Sequence, residues 1–139
     1  MDSQGFPSVL GGGAAVGQAS AGPVKLFELR GANLNITTDQ AFTKVGTFTN
    51  YKVTSIVGRG LTGNALIAAG GIYPAAAKAG TALVAAGQLW AALSALGKII
   101  DLTLAALTDA QTATPILSLT TAAGGAATAD VFVYGVVLD

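Results

Sequence analysis

Seven carboxylates, seven Lys and Arg side chains and no histidine or cysteine make up the charged inventory of this 139-residue chain, so any acid–base chemistry must come from them. Asp101 and Asp109, eight residues apart, are the two acids nearest each other in the sequence. Two carboxylates flanking a bond can serve as general acid and as base or nucleophile, as in glycoside hydrolysis. On an extended strand eight residues span roughly 26 Å, far beyond the separation such a pair needs unless a turn folds between them. Solvation or turn capping is the role these acids favour, and Glu28 stands isolated. A carboxylate-only enzyme is the weakest reading, and no catalytic residue is assigned.

A second spacing that carries chemistry is Gly58-Arg59-Gly60-Leu61-Thr62-Gly63, which fits G-x-G-x-x-G and follows a predicted strand. In a dinucleotide site those glycines open a helix whose N-terminus holds the pyrophosphate, with an acid about 20 residues on. Here the next segment meets Gly70-Gly71 after seven residues and Pro74 soon after, and the next acid is Asp101. A wide glycine turn is expected, with no cofactor. A phosphate-binding Walker loop fails as well, because Ile99 follows Gly97-Lys98 and Ala92 stands where the leading glycine belongs.

The absent residue types exclude more. Without histidine there is no imidazole base and no Ser-His-Asp arrangement; without cysteine there is no thiolate nucleophile, disulfide or sulfur-held metal. No metal site is expected. Zero formal net charge argues against affinity that depends on neutralising many phosphates, so nucleic acid is not an expected partner. With one Trp, three Tyr and five Phe, no aromatic series interleaves with Lys or Arg to make a base-stacking or sugar-binding platform.

Elements must place whatever remains. Residues 1–23 hold six Gly, four Ala and two Pro without periodicity, and read as a flexible N-terminal arm. Its apolar groups, Phe6, Val9, Leu10 and Val16, either dock on a neighbouring subunit or belong to a plain tail. Ala19-Ser20-Ala21 has the form of a cleavage site, but Asp2 replaces a basic start and Gly11 to Gly13 break the apolar run, so no secretion signal is expected. From residue 24 to 139 the runs are short, alternating and rich in β-branched residues. They are Leu26 to Arg30, closed by Gly31; Leu34 to Thr37; Tyr51 to Val57; Ala65 to Tyr73; Thr81 to Ala86; Ile99 to Leu107; Pro115 to Thr120; and Asp130 to Leu138. In the third, Tyr51, Val53, Ser55 and Val57 are expected on one face. This spacing predicts a single all-β domain, a β-sandwich of jelly-roll type. At most one short helix is expected, at Gln88 to Leu96, where Leu89, Leu93 and Leu96 recur at helical spacing.

Gly70 and Gly71, set among alanines, predict a place where two backbones or two subunits approach closely. The stretch from Ala82 to Leu96 is the longest nearly apolar window, but its 15 residues fall short of the roughly 20 that a spanning helix needs. All seven basic residues lie within 24–98, beside Glu28 and Asp39, whereas 99–139 holds four acids and no base. These segments either meet across a subunit boundary or neutralise each other within one sandwich.

The runs AAGGIYPAAAKAGTALVAAGQLWAAL and LSLTTAAGGAATADVFVYGVVLD resemble small virion proteins of tailed bacteriophages, and the likeness extends from about Leu34 to the end. The resemblance implies a non-enzymatic cement or decoration subunit on the capsid surface, made in the host cytoplasm. It also implies a homo-oligomer, with a homotrimer as the expected form, that binds the major capsid protein and stabilises the shell. No site residue comes with the resemblance. Partner contacts are assigned instead to Phe6, Val9, Leu10 and Val16 of the arm together with Arg59 and Trp90, the last being either core or interface anchor. The competing reading is a head or tail fibre or tip module recognising a host receptor. Its mark would be exposed Trp and Tyr in loops, of which the sequence holds few.

Overall fold

The computed structural model describes residues 23–139. The arm residues Phe6, Val9, Leu10 and Val16 therefore lie outside the described residues. Among the described residues eight strands form: β1 (Val24–Asn33), β2 (Gln40–Ala41), β3 (Thr43–Lys44), β4 (Tyr51–Thr62), β5 (Ala69–Tyr73), β6 (Ile100–Asp101), β7 (Ile116–Thr121) and β8 (Thr128–Val137). The one helical element among the described residues is a 3-10 turn, Ala76–Lys78.

The strands make two antiparallel sheets, ordered β3-β1-β8-β4-β6 and β2-β7-β5. Read as pairs, β1 lies beside β8, β2 beside β7 and β4 beside β6, while Ile72 of β5 bridges Val84. With the two-residue edge strand β3, which flanks β1, set aside and the Val84 segment counted beside β5, first pairs with last, second with next to last, and so on inward, as in one long hairpin rolled into two sheets. This is the jelly roll that the alternating pattern predicted.

Several strands are shorter than their sequence runs. Thr81 to Ala86 contributes only the bridge at Val84, Ile99 to Leu107 only β6 and a bridge at Leu104, and Ala65 to Tyr73 only its last five residues. Leu34 to Thr37 turns rather than pairs. The expected helix at Gln88 to Leu96 is absent; successive turns run there instead. The backbone groups that a helix would pair internally go to neighbours, Trp90 N–H to Ala68 O and Ala65 N–H to Leu93 O, each at 3.0 Å. The three leucines accordingly part company, Leu93 being buried while Leu89 and Leu96 face outward.

Bulges alter the faces of the long strands. Val53 lies opposite Gly135 and Ser55 opposite Tyr134, so Thr54 is an extra residue. The extra residue reverses the alternation. Tyr51 and Val53 point inward before it, and Ile56, Gly58 and Leu61 after it, which corrects the expected single face of Tyr51, Val53, Ser55 and Val57. Gly31 does not end β1; with φ of 65° it is absorbed in a second bulge, where its N–H donates to Asp130 Oδ1 at 2.8 Å.

Between the sheets the core is aliphatic and aromatic. Phe27, Phe48 and Tyr51 meet edge to face with centroids 5.1 to 5.7 Å apart, the arrangement that ring quadrupoles favour. The Tyr51 hydroxyl donates to Ala113 O, and burial pushes its pKa up to about 12.

Candidate interaction surface

The topology sets two poles. At one, the end of β1, the end of β4 and the start of β8 come together, with Asn33 and Thr62 both opposite Thr128. At the other, the chain enters at Val24, opposite Gly135, and Tyr51 lies opposite Val137. The first pole carries the β4–β5 loop (63–68), the long connection from Val84 to β6 (85–99) and the β7–β8 loop (122–127). Their 27 residues include one charge, Lys98.

Among the described residues seven large aliphatic side chains stand exposed, and five of them are in these loops: Leu66, Ile67, Leu89, Leu96 and Ile99. Leu96 is 82% exposed and Leu89 64%. The loops are fixed to one another by backbone bonds, Trp90 to Ala68, Ala65 to Leu93 and Gly70 N–H to Gln88 O at 2.9 Å. Gly124 N–H also donates to Asn35 Oδ1 at 2.9 Å, tying in the β1–β2 turn. An open depression of about 460 Å³ lies between Leu66, Ile67 and the Ala123 to Ala126 run. Isolated surface leucines are ordinary, but several on one nearly uncharged pole mark a surface suited to a partner.

Trp90 does not belong to that surface. It is fully buried, packs against Gly58 and donates from Nε1 to Gly70 O at 3.1 Å, so its assignment as an interface anchor is corrected to a core role. The physical reason is the turn-rich path of the long loop, which folds the indole inward and leaves Leu89 and Leu96 outside. Those leucines escaped the sequence reading because their spacing fitted one face of a helix.

Arg59 is exposed on β4, on the outer face of the five-stranded sheet. Its guanidinium carbon lies 5.2 Å from the Phe132 ring centre, which Arg30 approaches at 5.2 Å and Lys25 Nζ at 4.9 Å. The three stems cover Phe132, leaving it buried on an outward-facing position. Glu28 pairs with Lys25 at 3.1 Å and Arg30 at 3.3 Å, and these hydrogen-bonded cations, Lys25 first, hold its carboxyl below the usual range. Both ion pairs sit inside the basic segment, so acidic 99–139 does not neutralise these cations directly.

The glycine motif is structural, and it is not the wide turn expected. Gly58 and Gly60 are within β4: a Cβ on Gly58 would lie 2.8 Å from Ile100 Cγ2, and Gly60, at φ 68°, forms the second bulge of that strand. Asp101 is on β6 opposite Val57, and Asp109 in the loop beyond it borders a cleft of about 50 Å³ with Lys52 and Gln111. Among the described residues no three acids cluster as a metal site would require. No helix of the described residues is long and apolar enough to cross a membrane.

One polar network is anchored on a buried hydroxyl. Ser118, outward on β7 between inward Leu117 and Leu119, is covered by the 3-10 turn and fully buried. Its hydroxyl donates to Asp39 Oδ1 at 2.8 Å and accepts from Lys78 Nζ at 2.9 Å. Asp39 Oδ2 accepts Ala77 N–H at 2.8 Å, and that bond, before the one from Ser118, lowers its pKa. Ala77 and Lys78 both have positive φ, 58° and 61°, a costly backbone that the network holds in place. With its oxygen enclosed and its proton on Asp39, Ser118 is a clamp for this turn and is not poised as a nucleophile.

Compared with known proteins, the chain matches no family model, no curated protein and no solved structure. The reading of its function therefore rests on the surface just described and on the sequence resemblance.

Proposed function

We propose that this protein is a non-enzymatic structural subunit of a phage virion, a capsid cement or decoration protein that acts as a homo-oligomer bound to the major capsid shell. The observation that carries the proposal is the pole at which Leu66, Ile67, Leu89, Leu96 and Ile99 stand exposed on loops with a single charge. Burying one such side chain is worth roughly 1.5–3 kcal/mol, so the five together supply a gross gain on the order of 10 kcal/mol. That is comparable with the roughly 4–15 kcal/mol cost of association, so one contact is weak and several copies held together on a shell bind firmly. The jelly roll is compatible with this role, since capsid and lectin domains use it, but the fold alone does not assign it.

Sedimentation of the full chain over a wide concentration range tests the reading. The native protein should sediment as a closed oligomer, and Leu89→Asp with Leu96→Asp should shift it to monomer without changing its circular dichroism, because both side chains are already exposed. A native chain that stays monomeric at high concentration overturns the proposal. So does a count of only a handful of copies per purified virion, which would place it in a fibre or tail tip.

A further inference from the structure

The subunit reading leaves open what covers the apolar pole, and we propose that the occupant is the Phe6–Leu10 segment of a neighbouring copy. This inference rests on the proposed oligomer and names the contact within it.

Chemistry matches first. Phe6, Val9 and Leu10 lie in a stretch whose only charge before Lys25 is Asp2, and the pole's 27 loop residues carry only Lys98. Two nearly uncharged apolar surfaces of one chain lose nothing by desolvating ionic groups when they meet. The depression beside Leu66 and Ile67, about 460 Å³, is open and lined by small residues, Gly63, Ala123, Gly124, Gly125 and Ala126. It has room for a bulky side chain such as Phe6.

Chain length then decides between the chain's own pole and a neighbour's. The described chain starts at the opposite pole, where Val24 lies against Gly135. Crossing to the apolar pole means traversing the ten residues of β1, roughly 33 Å at the usual rise of a strand. Residues 11–22 could cover at most about 40 Å fully extended, whereas a glycine-rich chain of that length has a typical reach of only roughly 20 Å. Reaching its own pole would take about four-fifths of that fully extended length. A neighbour whose pole lies near the root of the segment demands no such extension. The contact joins two different surfaces, so it is head-to-tail and closes into a ring when the rotation between copies permits. The expected trimer is such a ring.

The absence of cysteine gives a clean test, because any disulfide formed is the one introduced. Full-length Leu10→Cys and Ile67→Cys chains, each otherwise native, are mixed and mildly oxidised. A covalent dimer formed in the mixture well above the yield of either variant alone, and lost when Leu96→Asp is added to the Ile67→Cys chain, is the result expected. In the doubly substituted chain, a disulfide that closes within one monomer would show the segment on its own pole and overturn the proposal. Failure to cross-link in either arrangement overturns it too. In both of those cases a native oligomer that still dissociates on Leu89→Asp with Leu96→Asp leaves the subunit reading standing, so the two failures are distinguishable.

Discussion

Asp39 shows how much one carboxylate can hold at this scale. It accepts Ala77 N–H and the Ser118 hydroxyl, faces the Lys78 ammonium through that hydroxyl, and so keeps two residues in left-handed backbone over the outer face of the three-stranded sheet. The bond from Ala77 is the largest cause of its lowered pKa, and Asp139 is lowered likewise by the Asn50 and Thr49 amides. For a group whose folded pKa is depressed, the unfolded chain binds more protons between the two values, so stability rises with pH across that window. The contribution is complete above the ordinary carboxylate range near 4 and disappears as pH falls through the lowered folded values. Asp39→Asn should therefore melt below the native protein at pH 7, with the gap narrowing steadily from pH 4.5 to pH 2.5. A gap independent of pH, read from thermal melts across that range, would mean that the carboxylate charge is not what secures the turn. None of this was legible beforehand, because Asp39, Lys78 and Ser118 are 39 and 40 residues apart in sequence and carry no motif. The glycine motif was legible only in part. Its lack of a following helix ruled out a nucleotide site, but that Gly58 makes room for Trp90, Leu93 and Ile100 depends on a loop whose path no local pattern announces.

Elements separate into those whose residues pair with a long partner and those that do not. β7 and β8 were readable from the sequence nearly whole, and β1 and β4 in part, as Leu26 to Arg30 and Tyr51 to Val57. Their faces were not fully readable, since the extra residue Thr54 reverses the alternation of β4 without any proline or glycine to signal it. The alanine-rich runs were the hard part. Leu89, Leu93 and Leu96 fit a helix on spacing alone, but the segment crosses Gly58 and bonds to the β4–β5 loop, and tertiary pairing overrides a weak local preference. Gly70 and Gly71 were read as sites of close approach, and that approach is between segments of one chain. A Cβ on Gly71 would lie 2.1 Å from Val84 O and one on Gly70 2.3 Å from Leu119 Cα. Backbone cannot yield there as a side-chain tip would, so Gly71→Ala should cost more than about 3 kcal/mol, beyond the usual range for overpacking. Denaturant unfolding that shows a loss under about 1 kcal/mol, within the normal scatter of surface substitutions, would mean that Val84 is free to move away from β5.

At the scale of the whole molecule, the rolled pairing makes the last strand indispensable to the first. β8 lies in the middle of the five-stranded sheet, hydrogen-bonded to β1 on one side and β4 on the other, and supplies Ala129, Val131 and Val133 to the core. Its end is pinned as well, with Leu138 N–H donating to Asn50 O at 2.9 Å and Asp139 accepting from the Thr49 and Asn50 amides. Pairs such as Val24 with Gly135 close loops of more than 100 residues, and the entropy of closing them must be offset before the contacts reward it. Folding by this route belongs to the slow, non-local class, milliseconds to seconds, rather than the microseconds of local helical chains. It also admits no stable intermediate lacking β8, because β1 and β4 would then face each other across an empty strand position with two rows of unpaired amides and carbonyls. A chain ending at Ala127 should therefore show no cooperative thermal transition, whereas the full chain should unfold in a single step and refold in milliseconds or longer. A truncated chain that still melted cooperatively would mean that β1 and β4 pair directly, and the rolled order of strands described here would be wrong.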